Sequence, residues 1–320
     1  MDIIKNFHQL ARSRKRTIIF PEGEEPRIQK AALHLAGKNY LHPILIGNPE
    51  KLYDHDPGLK DIEVIQPEQS EQYPAWTEQF YQMRKHKNMT VEQAAEHLKN
   101  PLYFGAFMVR EGLADGAVAG SVNTTGDVLR AAIQVIGLAP QVTVVSSSFI
   151  MVMPSGEIFT FADCAVIPEP DPDQLASIAI SSAETHRKLV GVEPSVAMLS
   201  FSTKGSAQHP RTEKIVAATR LVQTKAAALK IDGELQFDAA YVASVGERKA
   251  PDSPVAGKAN VFIFPDLDSG NISYKIAQRL GGAEAIGPVI QGLAKPYNDL
   301  SRGCSVDDVI NVACICAILA

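Results

Sequence analysis

The sequence contains few cysteines, in no arrangement that marks a secreted or zinc-binding protein. Only four occur among its 320 residues, and they show neither paired zinc-ligand spacing nor a disulfide framework. They are Cys164, Cys304, Cys314 and Cys316. This usage is typical of reduced thiols, and we therefore expect a cytoplasmic protein.

Long apolar stretches are also missing. Residues 1–16 are polar and amphipathic, without the uninterrupted apolar stretch of a secretory signal, so we predict no export. The most apolar segment, residues 309–320, is shorter than the roughly 20 residues that span a bilayer. We interpret it as a buried helix and expect no membrane partner.

Positive charge is not in excess. The formal net charge is −5 at pH 7 and the pI is ≈ 5.9. This balance argues against nucleic acids and anionic membranes as partners, because both attract a basic surface. Any anionic ligand must therefore meet a local group of basic residues.

The common nucleotide and metal motifs are absent as well. The sequence has no GxxxxGK[ST] loop and no GxGxxG loop, and its eight histidines show no HExxH or other paired ligand spacing. We predict no bound metal and no permanently bound cofactor.

What the chain does contain is an alternation of strand and helix patterns. Residues 17–20 and 43–46 have strand patterns separated by a helical one, and a further strand is predicted at residues 117–119. The alternation predicts a mostly parallel sheet covered by helices. Further predicted elements are helices over residues 173–189 and 211–229 and strands over residues 195–201 and 260–264.

Length and a change of pattern predict two α/β domains. A chain of this size usually exceeds a single core, and residues 149–161 switch to a hairpin pattern around a turn. The apolar last helix needs a partner, which we expect in the first domain. The prediction is a discontinuous first domain, residues 1–148 with 296–320, a second domain, residues 149–295, and a cleft between them.

The most informative segment is the polar run at residues 298–308, NDLSRGCSVDD. Ser305 is a natural N-cap, and Asp308 falls in the first helical turn, where the helix dipole favours negative charge. Capping alone could explain this pair. However, Ser301, Arg302 and a nearby carboxylate also suit an acyl and phosphate site, because arginine binds phosphate as a fork and a carboxylate accepts protons. Spacing leaves both interpretations open.

Residues 298–305 resemble the signature of the phosphate acetyltransferase family. Other segments are similar to family segments in the same order, namely residues 21–23, 161–164, 198–207, 232–240, 249–253 and 270–280. The resemblance is to the short, single-enzyme form, and residues 136–140 and 303–306 are particularly similar to the ethanolamine-utilisation type. It implies two three-layer α/β domains, similar to the isocitrate/isopropylmalate dehydrogenase-like fold. It also implies a homodimer that transfers acetyl groups reversibly between coenzyme A (CoA) and phosphate.

The resemblance implies roles for individual residues. By position in the family, Asp308 abstracts the CoA thiol proton, Ser301 steadies the thiolate or tetrahedral intermediate, and Arg302 binds acetyl phosphate. Arg130 and Arg84 bind substrate. Ordinary pKa values make full proton transfer from a thiol to an aspartate uphill by roughly 6 kcal/mol. We expect burial to raise the pKa of Asp308 and arginines to stabilise the thiolate, which together would close this gap.

Further residues are expected near the substrates. Lys204 and Gly205 follow a strand and precede a helix, which presents donors to an anion, although an ordinary polar connection fits equally well. Asn123, Thr124 and Thr125 stand where many family members have His-Ser-Thr, so we expect binding to persist while acyl preference stays open.

The remaining candidates are an amide and two thiols. Asn271 belongs to a family-like segment and is a substrate-binding candidate. Cys304 lies inside the signature, and we expect it near the site without a required role. Cys164 has small apolar neighbours and is interpreted as a buried structural thiol.

Several alternatives stay open on the sequence alone. The substrate could be a propionyl or butyryl group, and the chain could be a non-catalytic domain that senses acyl phosphate or CoA. A metal-dependent 2-hydroxyacid dehydrogenase on a similar fold is a further competitor. The ethanolamine-type resemblance would place the protein in a bacterial microcompartment rather than free in the cytoplasm.

Overall fold

The computed structural model describes residues 3–320. They form two compact units, which we call the first unit, residues 3–137 with Leu293–Ala320, and the second unit, Leu138–Gly292. No helix among the described residues is long and apolar enough to cross a membrane.

The helices and strands follow in chain order. Residues 3–137 contain α1 (Ile3–Arg14), β1 (Thr17–Phe20), α2 (Pro26–Gly37), β2 (His42–Ile46), α3 (Pro49–His55), β3 (Glu63–Ile65), α4 (Tyr73–Arg84), α5 (Val91–Lys99), α6 (Pro101–Arg110), β4 (Gly116–Ala119) and α7 (Thr125–Val135). The second unit contains β5 (Ser146–Val152), β6 (Ile158–Ala162), α8 (Pro172–Val190), β7 (Ser195–Leu199), α9 (Pro210–Lys225), β8 (Lys230–Leu235), α10 (Phe237–Tyr241), α11 (Ala243–Lys249), β9 (Val261–Ile263), α12 (Leu267–Arg279) and β10 (Glu284–Gln291). The first unit is completed by β11 (Tyr297–Asp299) and α13 (Val306–Leu319).

The sheet of the first unit is entirely parallel, in the order β11-β4-β1-β2-β3. Asp299 at the end of β11 aligns with Ala119 at the end of β4. Because parallel strands end at the same edge, the residues after β1, β4 and β11 converge there. This edge therefore gathers side chains that are far apart in sequence.

Local chemistry sets the helices that begin near this edge. Pro26 occupies the start of α2, where a missing N–H costs nothing, and the Glu25 side chain accepts from the Arg27 N–H. Thr124 caps α7 and Ser305 caps α13, each by accepting a hydrogen bond from a backbone N–H three residues later.

The interior of the first unit combines an aromatic cluster with the last helix. Trp76, Phe80, Phe104 and Phe107 are buried, and their rings make stacked, tilted and edge contacts. Helix α13 has nine buried residues and contacts α1, α2 and β4. The expected buried helix over residues 309–320 is confirmed.

The second unit has a mixed sheet in the order β10-β5-β6-β9-β7-β8. Strands β5 and β6 pair antiparallel, with Phe149 opposite Phe161, which confirms the predicted hairpin. Strand β10 also runs antiparallel to β5, whereas β6, β9, β7 and β8 are parallel neighbours.

Two elements differ from the sequence prediction. Helix α9 ends at Lys225 rather than residue 229, because Ala226 leaves helical geometry and β8 begins at Lys230. The first two positions of the predicted polar run, Asn298 and Asp299, form buried strand β11 together with Tyr297. Their polar side chains hide the apolar pattern by which strands are recognised.

Candidate active site

The loop that follows β4 is held by one carboxylate from the loop after β1. Glu22 Oε2 accepts from the Gly120 and Ser121 N–H groups at 3.0 and 2.7 Å and from Ser121 Oγ at 2.5 Å. Glu22 Oε1 accepts from the N–H groups of Val122 and Asn123 at 3.1 and 2.8 Å and from Asn123 Nδ2 at 2.8 Å. Residues 120–123 are therefore fixed around a single buried anion.

These hydrogen bonds also decide the charge of Glu22. Burial alone would raise its pKa, but the bonds from Ser121, Asn123 and Val122 outweigh burial, and the pKa is lowered. Glu22 is thus an ionised carboxylate that acts on the loop rather than a free acid or base.

Arg27 joins this loop to the signature segment. Its Nη2 donates to the Ser121 carbonyl at 3.0 Å, and its Nη1 donates to the carbonyls of Arg302 and Cys304 at 2.9 and 2.8 Å. Its Nε bonds Glu25 at 2.6 Å. One guanidinium therefore sets the position of two loops whose residues are more than 90 positions apart in the chain.

The signature segment forms a tight turn between β11 and α13. The Cys304 N–H donates to the Ser301 carbonyl at 2.9 Å, and the Gly303 N–H donates to Ser301 Oγ at 3.2 Å. Within residues 3–320 the Ser301 hydroxyl accepts this hydrogen bond and donates none, so its proton is available to a ligand. The Arg302 side chain is exposed and makes no hydrogen bond or ion pair within residues 3–320, so its guanidinium is available to an anion.

Asp308 takes part in a capping box. Its Oδ2 accepts from the N–H and Oγ of Ser305, both at 2.8 Å, while its own N–H donates to Ser305 Oγ at 3.1 Å. The capping interpretation is therefore confirmed. The expected burial of Asp308 is wrong, because the residue is exposed at the start of α13. Its Oδ1 accepts no hydrogen bond within the described residues, so one oxygen stays open.

Cys304 lies beneath this turn. It is 6% exposed, and its Sγ lies 3.7 Å from Arg27 Nη1. Burial raises the pKa of the thiol, while Arg27 opposes the rise and Asp308 adds to it. The thiol is next to the candidate site, but it is a poor nucleophile in this environment.

A pocket of ≈ 710 Å³ opens beside the Glu22-held loop. Residues that line it include His97, Lys99, Tyr103, Asn123, Asp127 and Arg130. Arg130 Nη1 pairs with Asp127 at 2.6 Å, and both side chains are largely exposed. Burial raises the pKa of Tyr103, while Arg130 and Arg84 lower it, so both guanidinium groups act on the Tyr103 hydroxyl. Arg130 therefore lines the pocket directly, whereas Arg84 acts on it only through Tyr103.

The start of α7 connects the pocket to β11. Thr124 Oγ1 donates to Asp127 at 2.7 Å, and Thr125 Oγ1 donates to Asp299 Oδ2 at 2.6 Å. Asn123 bonds Glu22, as described above. All three polar side chains at residues 123–125 are therefore engaged with carboxylates of the first unit.

Three other candidates lie in the second unit, and all use their polar groups internally. The Lys204 ammonium pairs with Asp232, and the Gly205 N–H donates to Glu234 Oε1 at 2.7 Å. Asn271 on α12 donates to the Cys164 carbonyl at 2.9 Å. These bonds favour the ordinary polar connection over an anion site at Lys204 and Gly205.

Three residues of the first unit were missed by the sequence argument. Glu22 stood in a family-like segment without a role, and Asp299 was grouped with a polar run although it is buried. Arg27 carried a usable signal, because a cation in the first turn of a helix opposes the helix dipole and needs another reason to be there. That reason is its three carbonyl bonds.

Within residues 3–320, no group of three or more His, Cys, Asp or Glu side chains could hold a metal ion. The site consists of arginines, carboxylates, hydroxyls and backbone groups.

Comparison with a distant protein bears on the fold alone. A 4-hydroxythreonine-4-phosphate dehydrogenase from Klebsiella pneumoniae is 10% identical, yet it aligns with a TM-score of 0.55 over 96% of this chain and 98% of its own. The predicted α/β, dehydrogenase-like fold class is confirmed by this likeness.

Closer comparisons identify the family. The family model described as "Phosphate acetyl/butaryl transferase" matches residues 2–317. Phosphate acetyltransferase from Thermoanaerobacterium thermosaccharolyticum is 48% identical over 327 residues, covering 100% of both chains. The structure of "EutD phosphotransacetylase from Staphylococcus aureus" is 44% identical, with a TM-score of 0.91 over 98% of each chain. With the signature segment and its free guanidinium already in view, these matches mean that the chain belongs to the phosphate acetyl/butyryl transferase family.

Proposed function

We propose that the protein is a phosphate acetyltransferase that interconverts acetyl-CoA plus phosphate with acetyl phosphate plus CoA. The observation that carries the proposal is the exposed guanidinium of Arg302, which has no partner among residues 3–320. The Arg302 carbonyl is held by Arg27, which fixes this residue between Ser301 and the start of α13. A forked cation at this place suits the phosphoryl group of acetyl phosphate or a developing oxyanion.

The reaction needs no covalent acyl-enzyme. In the direction of acetyl-CoA synthesis, Asp308 Oδ1 accepts the thiol proton, and the thiolate attacks the acyl carbon of acetyl phosphate. The new sulfur–carbon bond forms as the carbon–oxygen bond to phosphate breaks, and phosphate departs with that electron pair. The Asp308 proton then passes to solvent. With ordinary pKa values, proton transfer from the thiol to Asp308 is uphill by roughly 6 kcal/mol. Arg302 lowers this free energy by stabilising the thiolate.

Ser301 has a supporting role in this scheme. Its Oγ accepts from the Gly303 N–H, so the hydroxyl is oriented and its proton can stabilise the thiolate or the tetrahedral oxyanion. Cys304 lies below the turn and takes no part in bond making.

The pocket beside the Glu22-held loop is the proposed site for the anionic part of CoA. Arg130 and Arg84 act on Tyr103, and the buried Arg84 Nε has no hydrogen-bond partner within the described residues. An unpaired guanidinium donor next to a pocket suits a phosphate group. The Asp127 partner of Arg130 is exposed and easily exchanged for such a ligand.

We further propose a homodimer. Ile272 and Ile276 on α12 of the second unit are 56% and 52% exposed, Leu280 directly after the helix is 85% exposed, and the spacing of four residues places them on one side. An exposed apolar stripe of this kind supports contact with a second copy. The four free cysteines support a cytoplasmic location. Association with a microcompartment is the variant that the resemblance of residues 136–140 and 303–306 to the ethanolamine-utilisation type suggests.

The function is tested by phosphate-dependent release of CoA from acetyl-CoA, followed with a thiol reagent. Thiol release should require phosphate, and arsenate should sustain breakdown because acetyl arsenate hydrolyses. Butyryl-CoA and propionyl-CoA measured in parallel decide the acyl preference. A preference for the longest chain would move the substrate to butyryl, and no phosphate- or arsenate-dependent release would favour a sensing domain.

The matched variants concern the arginine. Arg302→Lys keeps a cation but loses the fork, so it should retain part of the activity that Arg302→Ala loses. Equal activity of both variants and the wild-type enzyme would contradict the role of this residue.

A further inference from the structure

The mechanism leaves unused a buried carboxylate that directly precedes the signature segment. Asp299, the last residue of β11, is 2% exposed. Its Oδ2 accepts from Thr125 Oγ1 at 2.6 Å, whereas its Oδ1 has no hydrogen-bond partner within the described residues. A buried carboxylate with an unsatisfied oxygen is unfavourable, and an asparagine of the same shape would avoid the cost of the charge.

The surroundings of Asp299 explain its altered acidity. Burial raises its pKa to about 6, the Thr125 hydrogen bond opposes the rise, and the charge of Glu22 adds to it. The same carboxyl would titrate near 3.8 without these effects. Asp299 therefore changes charge at a pH where an ordinary aspartate is fully ionised.

The position of Asp299 links three parts of the candidate site. It directly precedes the segment that carries Ser301 and Arg302. Its Oδ1 lies against Gly120, where an added Cβ would come within 2.2 Å of that oxygen. Thr125, its hydrogen-bond partner, is the first residue of α7, the helix that presents Arg130 to the pocket.

We propose that Asp299 is a positioning residue for the transfer reaction, which holds Thr125 and the start of α7 so that Arg130 is kept in register with Ser301 and Arg302. Thr125 then acts through Asp299 and does not itself contact substrate, because its hydroxyl proton is donated to the carboxylate. This inference rests on the proposed function, in which Arg130 binds CoA and Arg302 binds the phosphoryl group.

The charges that face Asp299 define the expected pH dependence. Glu22, in the loop after β1, is the charged group that acts on it, and residues 120–123 carry no charge. On α7, Asp127 and Arg130 pair with each other, and in its own segment Arg302 is exposed to solvent. An ionised carboxylate accepts the hydrogen bond from Thr125 more strongly than a neutral acid does. The hydrogen bond between Thr125 and Asp299, which we call the clamp, therefore weakens as the pH falls through about 6.

The test compares Asp299→Asn, Thr125→Val, the double variant and Thr125→Ser. Asp299→Asn should raise the KM for acetyl-CoA roughly tenfold near neutral pH while kcat changes little, as expected for loss of a charge-assisted hydrogen bond that orients a binding helix. We expect the KM of the wild-type enzyme to rise between about pH 7.5 and 5.5, and this rise should be smaller in the variant. Phosphates of CoA titrate in both proteins, so the difference between the two profiles is the readout.

Thr125→Val should reproduce this phenotype, the double variant should be no worse than either single one, and Thr125→Ser should restore wild-type behaviour because it keeps the hydroxyl. Unchanged KM and pH profile in Asp299→Asn, or effects that multiply in the double variant, would overturn the proposal. If Asp299→Asn does not fold, the Thr125→Val and Thr125→Ser pair decides by the same measurements.

Direct binding of CoA by calorimetry separates this inference from the function it rests on. If the wild-type protein binds CoA but transfers no acetyl group, the function fails while weaker CoA binding by Thr125→Val still supports the clamp. If transfer is normal and CoA affinity is the same in all four variants, the clamp fails and the function stands.

Discussion

Each unit of the molecule contains a carboxylate that gathers backbone N–H groups at the end of a strand, but the two do so differently. In the second unit, Asp163 accepts from its near neighbours Ala165, Val166 and Ile167 and from Ser147 of the paired strand. In the first unit, Glu22 accepts from residues 98 to 101 positions later in the chain. The Asp163 arrangement is a local turn, whereas the Glu22 arrangement brings separate segments of the chain together.

The buried side-chain atoms without a hydrogen-bond partner also differ between the two units. Among buried atoms of residues 3–320 without a partner, those of the second unit include the neutral Ser148 Oγ, Ser195 Oγ and His186 Nε2. Those of the first unit include charged groups, Asp299 Oδ1 and Arg84 Nε. Unsatisfied neutral groups cost little compared with unsatisfied charges, so the charged ones are the better guide to function.

The largest effect is expected at Asp308, the proposed general base of the first unit. Asp308→Asn should lower kcat by roughly 10²–10⁴-fold, the usual contribution of a general base, because an amide cannot accept the thiol proton. Thermal unfolding should change little, since the Asn oxygen can still cap Ser305. Steady-state rates and the melting temperature measure both quantities.

Ser305→Ala is the matched control for the capping box. It should cost about 1 kcal/mol of unfolding free energy and leave most of the activity. Loss of activity in the capping variant, with normal rates in Asp308→Asn, would reverse the two assignments.

The two loop-organising carboxylates allow a direct comparison. Glu22→Gln should destabilise the protein by on the order of 3 kcal/mol, because an amide presents donors to backbone donors, and it should also raise the KM for acetyl-CoA. Asp163→Asn should destabilise comparably without changing KM. Denaturant unfolding and steady-state kinetics measure these effects, and an equal rise in KM for both variants would break the distinction between the units.

The second unit should respond to acid through a buried imidazole. His186 is fully buried and bonds Thr160 Oγ1 at 2.8 Å, and burial, with a smaller contribution from Arg187, lowers its pKa from 6.5 to about 4. The unfolded chain takes up a proton below about pH 6.5 that the folded chain refuses, so stability falls as pH drops towards 4, by up to about 3 kcal/mol.

Replacing the imidazole should remove this acid dependence. Denaturant unfolding of His186→Gln between about pH 7 and 4.5 should show a smaller loss of stability than the wild-type protein shows over the same range. Identical slopes for the two proteins would mean that His186 does not titrate as its burial requires.

The smallest effect is expected at the thiol beneath the signature turn. Cys304→Ala should keep kcat within about twofold, because burial raises the pKa of the thiol and the reaction assigns it no bond. A folded but inactive Cys304→Ala protein would show that the sulfur has a chemical role.

Elements with strong local patterns could be predicted from the sequence. The hairpin of β5 and β6, the buried α13 and the Ser305 cap all depend on residues a few positions apart, and each was confirmed. Strand β11 was missed because two of its three residues are polar, although Asn298 and Asp299 are buried. The assigned roles of Arg302 and Asp308 stay predictions that the variants above test, and the role of Ser301 stays a prediction.

By itself, the sequence determined the α/β class, the family and the segment in which the chemistry is proposed to occur, because motifs and periodicities are properties of neighbouring residues. Only the tertiary structure decided that Glu22 orders residues 120–123, that Arg27 reaches the Arg302 carbonyl, and that Asp299 is a buried charge. Those contacts follow from the strand order β11-β4-β1, which brings three distant strand ends to one edge. Strand order is a consequence of packing the whole chain, and no short stretch of sequence encodes it.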